Sequence, residues 1–203
     1  MSGDGPRPTV LKIGGSLLDL PDLAARIPGF LEREGILRPV LCPGGGAAAD
    51  LVRVWDRDHA LGEERSHRLA LAAMALNGLL LVEVLPKALP ARDRAGLSAA
   101  WEEGAVPVLD ARAFLDAEER GAPGEPLPHL WTATSDSVAA WIAGALGAGE
   151  LVLAKSAPPP PGSLTDLARL GYLDEHFPRL ARGIPRISAV DLRDPSPCRR
   201  FLS

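Results

Sequence analysis

The sequence predicts an α/β fold with a mainly parallel central sheet. Short apolar runs alternate with helix-patterned segments, and two of those runs end in glycine turns that lead straight into helices. That rhythm marks βαβ units, whose crossover helices keep neighbouring strands parallel.

Val10 to Ile13 is the first strand and ends in Gly14-Gly15-Ser16. Pro21 to Glu34 follows as a helix with Pro21 in its first turn, where a missing N–H is harmless. Pro39 to Cys42 is the second strand. It runs into Pro43-Gly44-Gly45-Gly46, and Ala47 to Arg57 forms the next helix. Ser66 has the chemistry of an N-cap for a long apolar helix from His67 towards Val84. Apolar on nearly every side, that helix is expected to be buried, with a subunit interface as one place to bury it. Val106 to Leu109 is a further strand, followed by a short helix around Arg112 to Glu119 and a Gly/Pro-rich loop from Gly121 to Pro128. Ser137 to Leu146 is helical, Leu151 to Lys155 is a strand, and Ile187 to Leu192 is expected to be the last one. Pro158 to Pro161 is a stiff, extended run rather than a domain linker. With 203 residues and no internal repeat, the chain is expected to form a single domain over 1–203.

Composition narrows the function classes. Apolar residues make up 46% and charged residues 24%, the balance of a soluble globular protein. A formal net charge of −4 supplies no global cationic surface, which argues against nucleic acid and anionic lipid as main partners. Met1 to Pro6 lacks a charged-then-apolar signal pattern. The longest apolar run, Leu69 to Val84, is interrupted by Asn77 and Gly78 and falls short of the ~18 residues of a membrane span. Cys42 and Cys198 fit no metal-ligand spacing, and His59, His129 and His176 are scattered. No protein metal site is expected, and the cytoplasm is the expected compartment.

Three segments carry candidate chemistry, all at strand ends or helix starts, where parallel sheets bind ligands. Lys12-Ile13-Gly14-Gly15-Ser16 takes a lysine into a glycine turn whose N–H groups can meet an anion. Pro43-Gly44-Gly45-Gly46 is a second such nest. Thr134-Ser135-Asp136-Ser137 opens a helix, and Lys155 closes the strand after it. Taken singly, each also fits an ordinary turn or cap with an incidental charge. Of 22 lysines and arginines only Lys12, Lys87 and Lys155 are lysine, so a retained lysine can mark a need for a compact point charge. Together the segments describe a phosphoryl-transfer site, in which positioning and charge do most of the catalysis.

VLKIGGSLL (Val10 to Leu18), PVLCPGGGAAADLVR (Pro39 to Arg53) and TSDSVAAWIAGALGA (Thr134 to Ala148) resemble, in order and spacing, the amino-acid kinase superfamily. SHRLALAAMALNGLLL (Ser66 to Leu81), LWTATSDSVAAWIA (Leu130 to Ala143), LVLAKS (Leu151 to Ser156) and LDEHFPRLA (Leu173 to Ala181) are similar to its short methanofuran-pathway branch, which forms a diphosphate on an aminomethyl-furan phosphate. The resemblance implies a three-layer α/β/α sandwich, ATP as donor with Mg²⁺, and a small-molecule phosphate acceptor. By position it implies that Lys12 holds the transferring phosphoryl group and that Gly14, Gly15 and Ser16 donate to the nucleotide phosphates. Gly44, Gly45 and Gly46 would face the acceptor, Asp136 would orient the lysines, and Lys155 would be the second cation. Mg²⁺ would be held largely by phosphate oxygens.

Thr134 and Ser135 join the acceptor-binding candidates, as do Arg53 and His67, with Arg57, Arg65 and Arg68 nearby in sequence. A solvated charged face is an equal explanation of those arginines. A phosphate monoester with its second pKa near ~6 is already anionic at pH 7, so no general base is required. The chain departs from the larger superfamily members in two places. Ala157-Pro158-Pro159-Pro160-Pro161 replaces an Asp-Gly segment, and a later Gly-Gly-Met…Lys nucleotide-binding stretch is missing. Other acceptors within the superfamily, or a non-catalytic ligand-binding protein on the same fold, are the alternatives.

Overall fold

A computed structural model describes residues 5–121 and 125–203. The start of the expected leader-free terminus and the middle of the Gly121–Pro128 loop lie outside the described residues. In chain order the elements are β1 (Thr9–Ile13), α1 (Leu23–Arg33), β2 (Pro39–Pro43), α2 (Gly46–His59), α3 (Glu63–Val84), β3 (Ala88–Ala91), α4 (Arg94–Glu102) and β4 (Val106–Leu109). Then come α5 (Ala111–Glu118), α6 (Ser135–Leu146), β5 (Glu150–Lys155), α7 (Leu164–Arg169), α8 (Phe177–Leu180), β6 (Ile187–Asp191) and β7 (Arg199–Leu202).

The strands form one sheet in the order β3-β4-β2-β1-β5-β6-β7, parallel throughout except for β7, which pairs antiparallel with β6. Alternation along the strands splits the core into two layers. Val10, Val40, Cys42, Leu151 and Leu153 face α5, α6, α7 and α8, while Leu11, Ile13, Leu41, Val152 and Ala154 face α1 and the C-terminal half of α3. The result is the expected α/β/α sandwich. The same alternation places Lys12 and Lys155 on the α6 side, in step with Val10 and with Leu151 and Leu153.

Several boundaries differ from expectation for identifiable reasons. Ser66 is fully buried inside α3 and is not its N-cap. The cap is Gly62 at φ 79°, whose N–H donates to Asp56, and Glu63 and Glu64 occupy the first turn where the helix dipole favours them. Nor is α3 buried all round, since Leu76 and Leu79 are 60% and 59% exposed and Leu80 and Val84 are also open. By length and composition alone α3 could cross a membrane, a qualification to the sequence expectation, but here it packs on α2, α5, β2, β3 and β4. Pro90 hides β3, which tolerates it as a sheet-edge strand. Ile187–Asp191 is not the last strand, because Arg199–Leu202 closes the other edge.

That edge is tied to the core by charge. Buried Glu150 accepts from Ser188 Oγ at 3.1 Å and pairs with Arg199 at 3.1 Å, and Arg199 also reaches Glu34 at 3.2 Å. Removing one partner of a largely buried pair leaves the other short of compensation, here with only the more exposed Arg186 at 3.5 Å from Glu150. Arg199→Met is therefore expected to cost about 2 kcal/mol in urea unfolding, and the Arg199→Met/Glu150→Gln double variant is expected to lose less than the two single losses together.

Candidate active site

The site begins with one carboxylate between two ammonium groups. Lys12 Nζ lies 2.7 Å from Asp136 Oδ1, and Lys155 Nζ donates to Asp136 Oδ2 at 2.7 Å. β1 and β5 are adjacent parallel strands, so both lysines emerge on one face beneath the first turn of α6. Asp136 is almost fully buried. Burial opposes its ionisation, but the charges of Lys12 and then Lys155 outweigh that penalty and hold its pKa below the ordinary carboxylate value. For Lys155 burial is the largest influence and lowers the pKa, with Asp136 opposing. Lys155 also donates to the Tyr172 carbonyl at 2.5 Å and sits 4.8 Å over the Tyr172 ring. The Tyr172 hydroxyl donates to Ala157 O at 3.2 Å, fastening the start of the proline run beside the lysine.

The two glycine turns touch. A Cβ on Gly15 would lie 2.2 Å from Gly46 N, and Gly46 itself has φ 49°. Only glycine satisfies both demands. The N–H groups of Gly15 and Gly45 have no backbone partner among the described residues, which leaves them as anion donors. Gly14 and Gly44 differ. The N–H of Gly14 is committed to Ala154 O at 2.8 Å, so it cannot donate to a nucleotide phosphate as expected, and that of Gly44, expected to face the acceptor, is committed to Ile13 O at 2.7 Å. Both glycines instead weld the turns to the sheet.

Beside the turns lies a cavity of about 220 Å³, lined at one end by Gly15, Ser16, Gly45, Gly46 and Ser135. Its walls are Leu71, Met74, Leu130, Ala133 and Val138, and Arg53, His67 and Trp131 stand at the other end. Arg53 stacks on the Trp131 ring at 4.4 Å, and Trp131 is held by Asp56 through Nε1 and by Glu63 through its backbone N–H, both at 2.6 Å. His67 is stacked on His129 with centroids 4.3 Å apart and planes 11° from parallel. His129, outside the cavity lining, bridges Glu64 and Glu119 at 2.7 and 3.0 Å and backs His67. Burial, reinforced by His129, pushes the pKa of His67 down to about 4. His67 is thus neutral at pH 7 and cannot serve as a cation for an acceptor phosphate. Arg57 and Arg68 pair with Asp58 and Glu64 on the surface, and neither they nor Arg65 line the cavity.

Ser16 lies in the short 3-10 turn Gly15–Leu17, with its hydroxyl on Ser156 at 3.0 Å and its carbonyl accepting from Arg193 at 2.5 Å. Thr134 caps α6 and spends its hydroxyl on Asp174 at 2.8 Å. Asp174 was missed by sequence reasoning, although it accepts from Thr134 N–H, Ser137 N–H and the Ser137 hydroxyl and so fixes the start of α6. Asn77 was equally missed. Its amide donates to Gly44 O at 2.7 Å and Gly45 O at 2.8 Å, pinning the second glycine turn. A lone amide in an apolar helical run is the signal that could have found it. Cys42, whose thiol burial raises to about 12, is a core residue beside Lys12 on the neighbouring strand. Among the described residues no cluster of three or more His, Cys, Asp or Glu could hold a metal ion.

This sheet, these turns and this lysine pair make up the candidate site. The Amino acid kinase family profile matches residues 7–158, and the chain belongs to that family. It is a kinase, and the family implies use of ATP. It is 28% identical to the [5-(aminomethyl)furan-3-yl]methyl phosphate kinase of Methanocaldococcus jannaschii, across 85% of this chain and 82% of that protein. Among solved structures it is similar to a UMP kinase from Ureaplasma parvum, with 16% identity, a TM-score of 0.62, 95% of this chain and 93% of that one. It is also similar to an aspartate kinase from Synechocystis, with 16% identity, a TM-score of 0.66, 97% of this chain and 40% of that one. These two likenesses define the fold.

Asp136→Asn is expected to reduce kcat at least ~100-fold, because two lysines lose the group that aims them. It should also destabilise the protein by ~3 kcal/mol at pH 7 in urea melts. Because the folded pKa of Asp136 is lowered, its contribution is present above the ordinary value of 3.8 and is lost only as pH falls through the lower folded value. The stability gap between wild type and variant should therefore be maintained from pH 7 to ~5, and a gap that closes in that range contradicts the assignment.

Proposed function

We propose that this kinase transfers the γ-phosphoryl group of ATP to a small phosphate-monoester acceptor, [5-(aminomethyl)furan-3-yl]methyl phosphate, giving a diphosphate in methanofuran-type C1-carrier biosynthesis. The observation that carries this is the double ion pair of Lys12 and Lys155 on Asp136 beside two glycine turns in contact. Two ammoniums and one carboxylate leave a net positive charge under unpaired N–H groups, an arrangement suited to polyphosphate.

In this reading Lys12 holds the transferring group and Lys155 the donor phosphates. Gly15 and Ser16 lie on the nucleotide side, and Gly45, Gly46 and Ser135 on the acceptor side. The acceptor oxygen is already anionic, so no residue need remove a proton. The chain lacks a carboxylate cage among the described residues, and both oxygens of Asp136 face lysines, so Mg²⁺ would be held by the phosphates it accompanies. There it would supply neutralising charge.

The 28% identity to the furan phosphate kinase supports the acceptor. We further assign the protein a cytoplasmic location, a single-domain organisation, and self-association through the exposed Leu76, Leu79, Leu80 and Val84 of α3.

The test is an acceptor panel with ATP followed by ³¹P NMR. A new diphosphate signal with the furan phosphate is expected. Turnover of UMP, isopentenyl phosphate or an amino-acid carboxylate without it would reassign the acceptor, and absence of ATP binding and consumption would make this a binding protein. Lys12→Ala should abolish transfer while the thermal melt remains cooperative, and wild-type-like turnover in that variant would refute the mechanism.

A further inference from the structure

The acceptor cavity has two electrically different ends. α3 runs along it, and Asn77, which pins the phosphate-side turn, lies ten residues from His67, or ~15 Å along the helix. Met74, Leu71 and Ala70 line the stretch between them and offer only apolar contact. The near end is lined by the glycine turns that carry the N–H groups of Gly15 and Gly45, while Lys12 and Lys155 lie outside the lining, on Asp136. At the far end Asp50 lines the cavity beside Arg53, its partner at 3.9 Å, and the carboxylates of Asp56, Glu63, Glu64 and Glu119 gather behind the lining around Trp131 and His129. The cations there are His129, held between two of those carboxylates, Arg53, laid on the Trp131 face, and Arg68, paired with Glu64 on the surface. Among the residues named, carboxylates outnumber cations around the far end.

His67 lines that far end, is 5% exposed, and has a buried Nε2 with no hydrogen-bond partner among the described residues. An orphaned buried nitrogen is costly to keep, and its stack on His129 fixes the ring without satisfying it. A ligand donor would satisfy it. We propose that the far end of the cavity is the subsite for the acceptor's ammonium group, with the imidazole of His67 accepting its hydrogen bond. The surrounding carboxylates supply the field. Since His67 is neutral at pH 7, it can accept where a protonated imidazole would repel. His67 is then the residue that distinguishes an aminomethyl-bearing phosphate from one of the same shape without the amine. This assignment rests on the small-phosphate acceptor proposed above.

Steady-state kinetics on two acceptors test it: [5-(aminomethyl)furan-3-yl]methyl phosphate and (5-methylfuran-3-yl)methyl phosphate. Wild type should favour the amine in kcat/KM by ~10- to 100-fold, the range of a hydrogen bond to a charged group. His67→Phe keeps an aromatic ring for the stack but no acceptor nitrogen, and it should bring the ratio within ~3-fold, mainly through KM. His67→Gln restores an acceptor and should retain most of the preference. A wild type that turns over both acceptors equally overturns the subsite, as does a preference that survives in His67→Phe. If His67→Phe does not fold, the wild-type ratio and His67→Gln still decide. Turnover of neither furan by wild type, beside turnover of another phosphate, removes the parent assignment and this one with it.

Discussion

The site depends on Asp136 being shared by two lysines. A buried ammonium is unfavourable, and two in one place repel each other as well. The carboxylate makes the pair tolerable inside the fold and still leaves one uncompensated positive charge. Every neighbouring feature serves that placement. Adjacent parallel strands bring Lys12 and Lys155 out on one face, and the first turn of α6 sets Asp136 above them. Asp174 holds the turn by accepting from its backbone and hydroxyl groups. The two ammonium groups are thus already aimed, and an anion drawn to them would require no reorganisation.

Much of this was legible in the sequence because it is local. A lysine two residues before a glycine turn, a second triple-glycine turn, and Ser-Asp at a helix start each announce themselves within a few positions, and the strands that carry them are plain apolar runs. β1, β2, β4 and β5 accordingly fall within a residue of their expected bounds. What was hidden depends on tertiary position. Pro90 disguises an edge strand, and the arginines of β7 look like a polar tail until Glu34 and Glu150 are seen opposite them. Ser66 has the chemistry of a cap but lies a turn inside the helix, because Gly62 and the acidic pair after it set the start.

Side-chain partners were the least legible. Glycines that resemble phosphate donors in sequence divide into two kinds in space. Gly15 and Gly45 have N–H groups with no backbone partner among the described residues, while Gly14 and Gly44 spend theirs on neighbouring strands. His67 and His129 are far apart in the chain and give no spacing signal, yet they stack face to face. Asn77 interrupts an apolar run only because two glycine carbonyls await it. In each case the partner lies on a different element, and no window of sequence contains both.

The contact between Gly15 and Gly46 has a consequence for descent. A side chain on either would displace the other's backbone, and Gly46 is also held in a conformation that disfavours one. Two turns encoded some thirty residues apart therefore form one heritable unit: neither can drift alone, and a viable change in one has to arrive with a compensating shift in the other. Variation among relatives should collect in the helices behind these turns, leaving the seam between them as the slowest-changing line in the molecule.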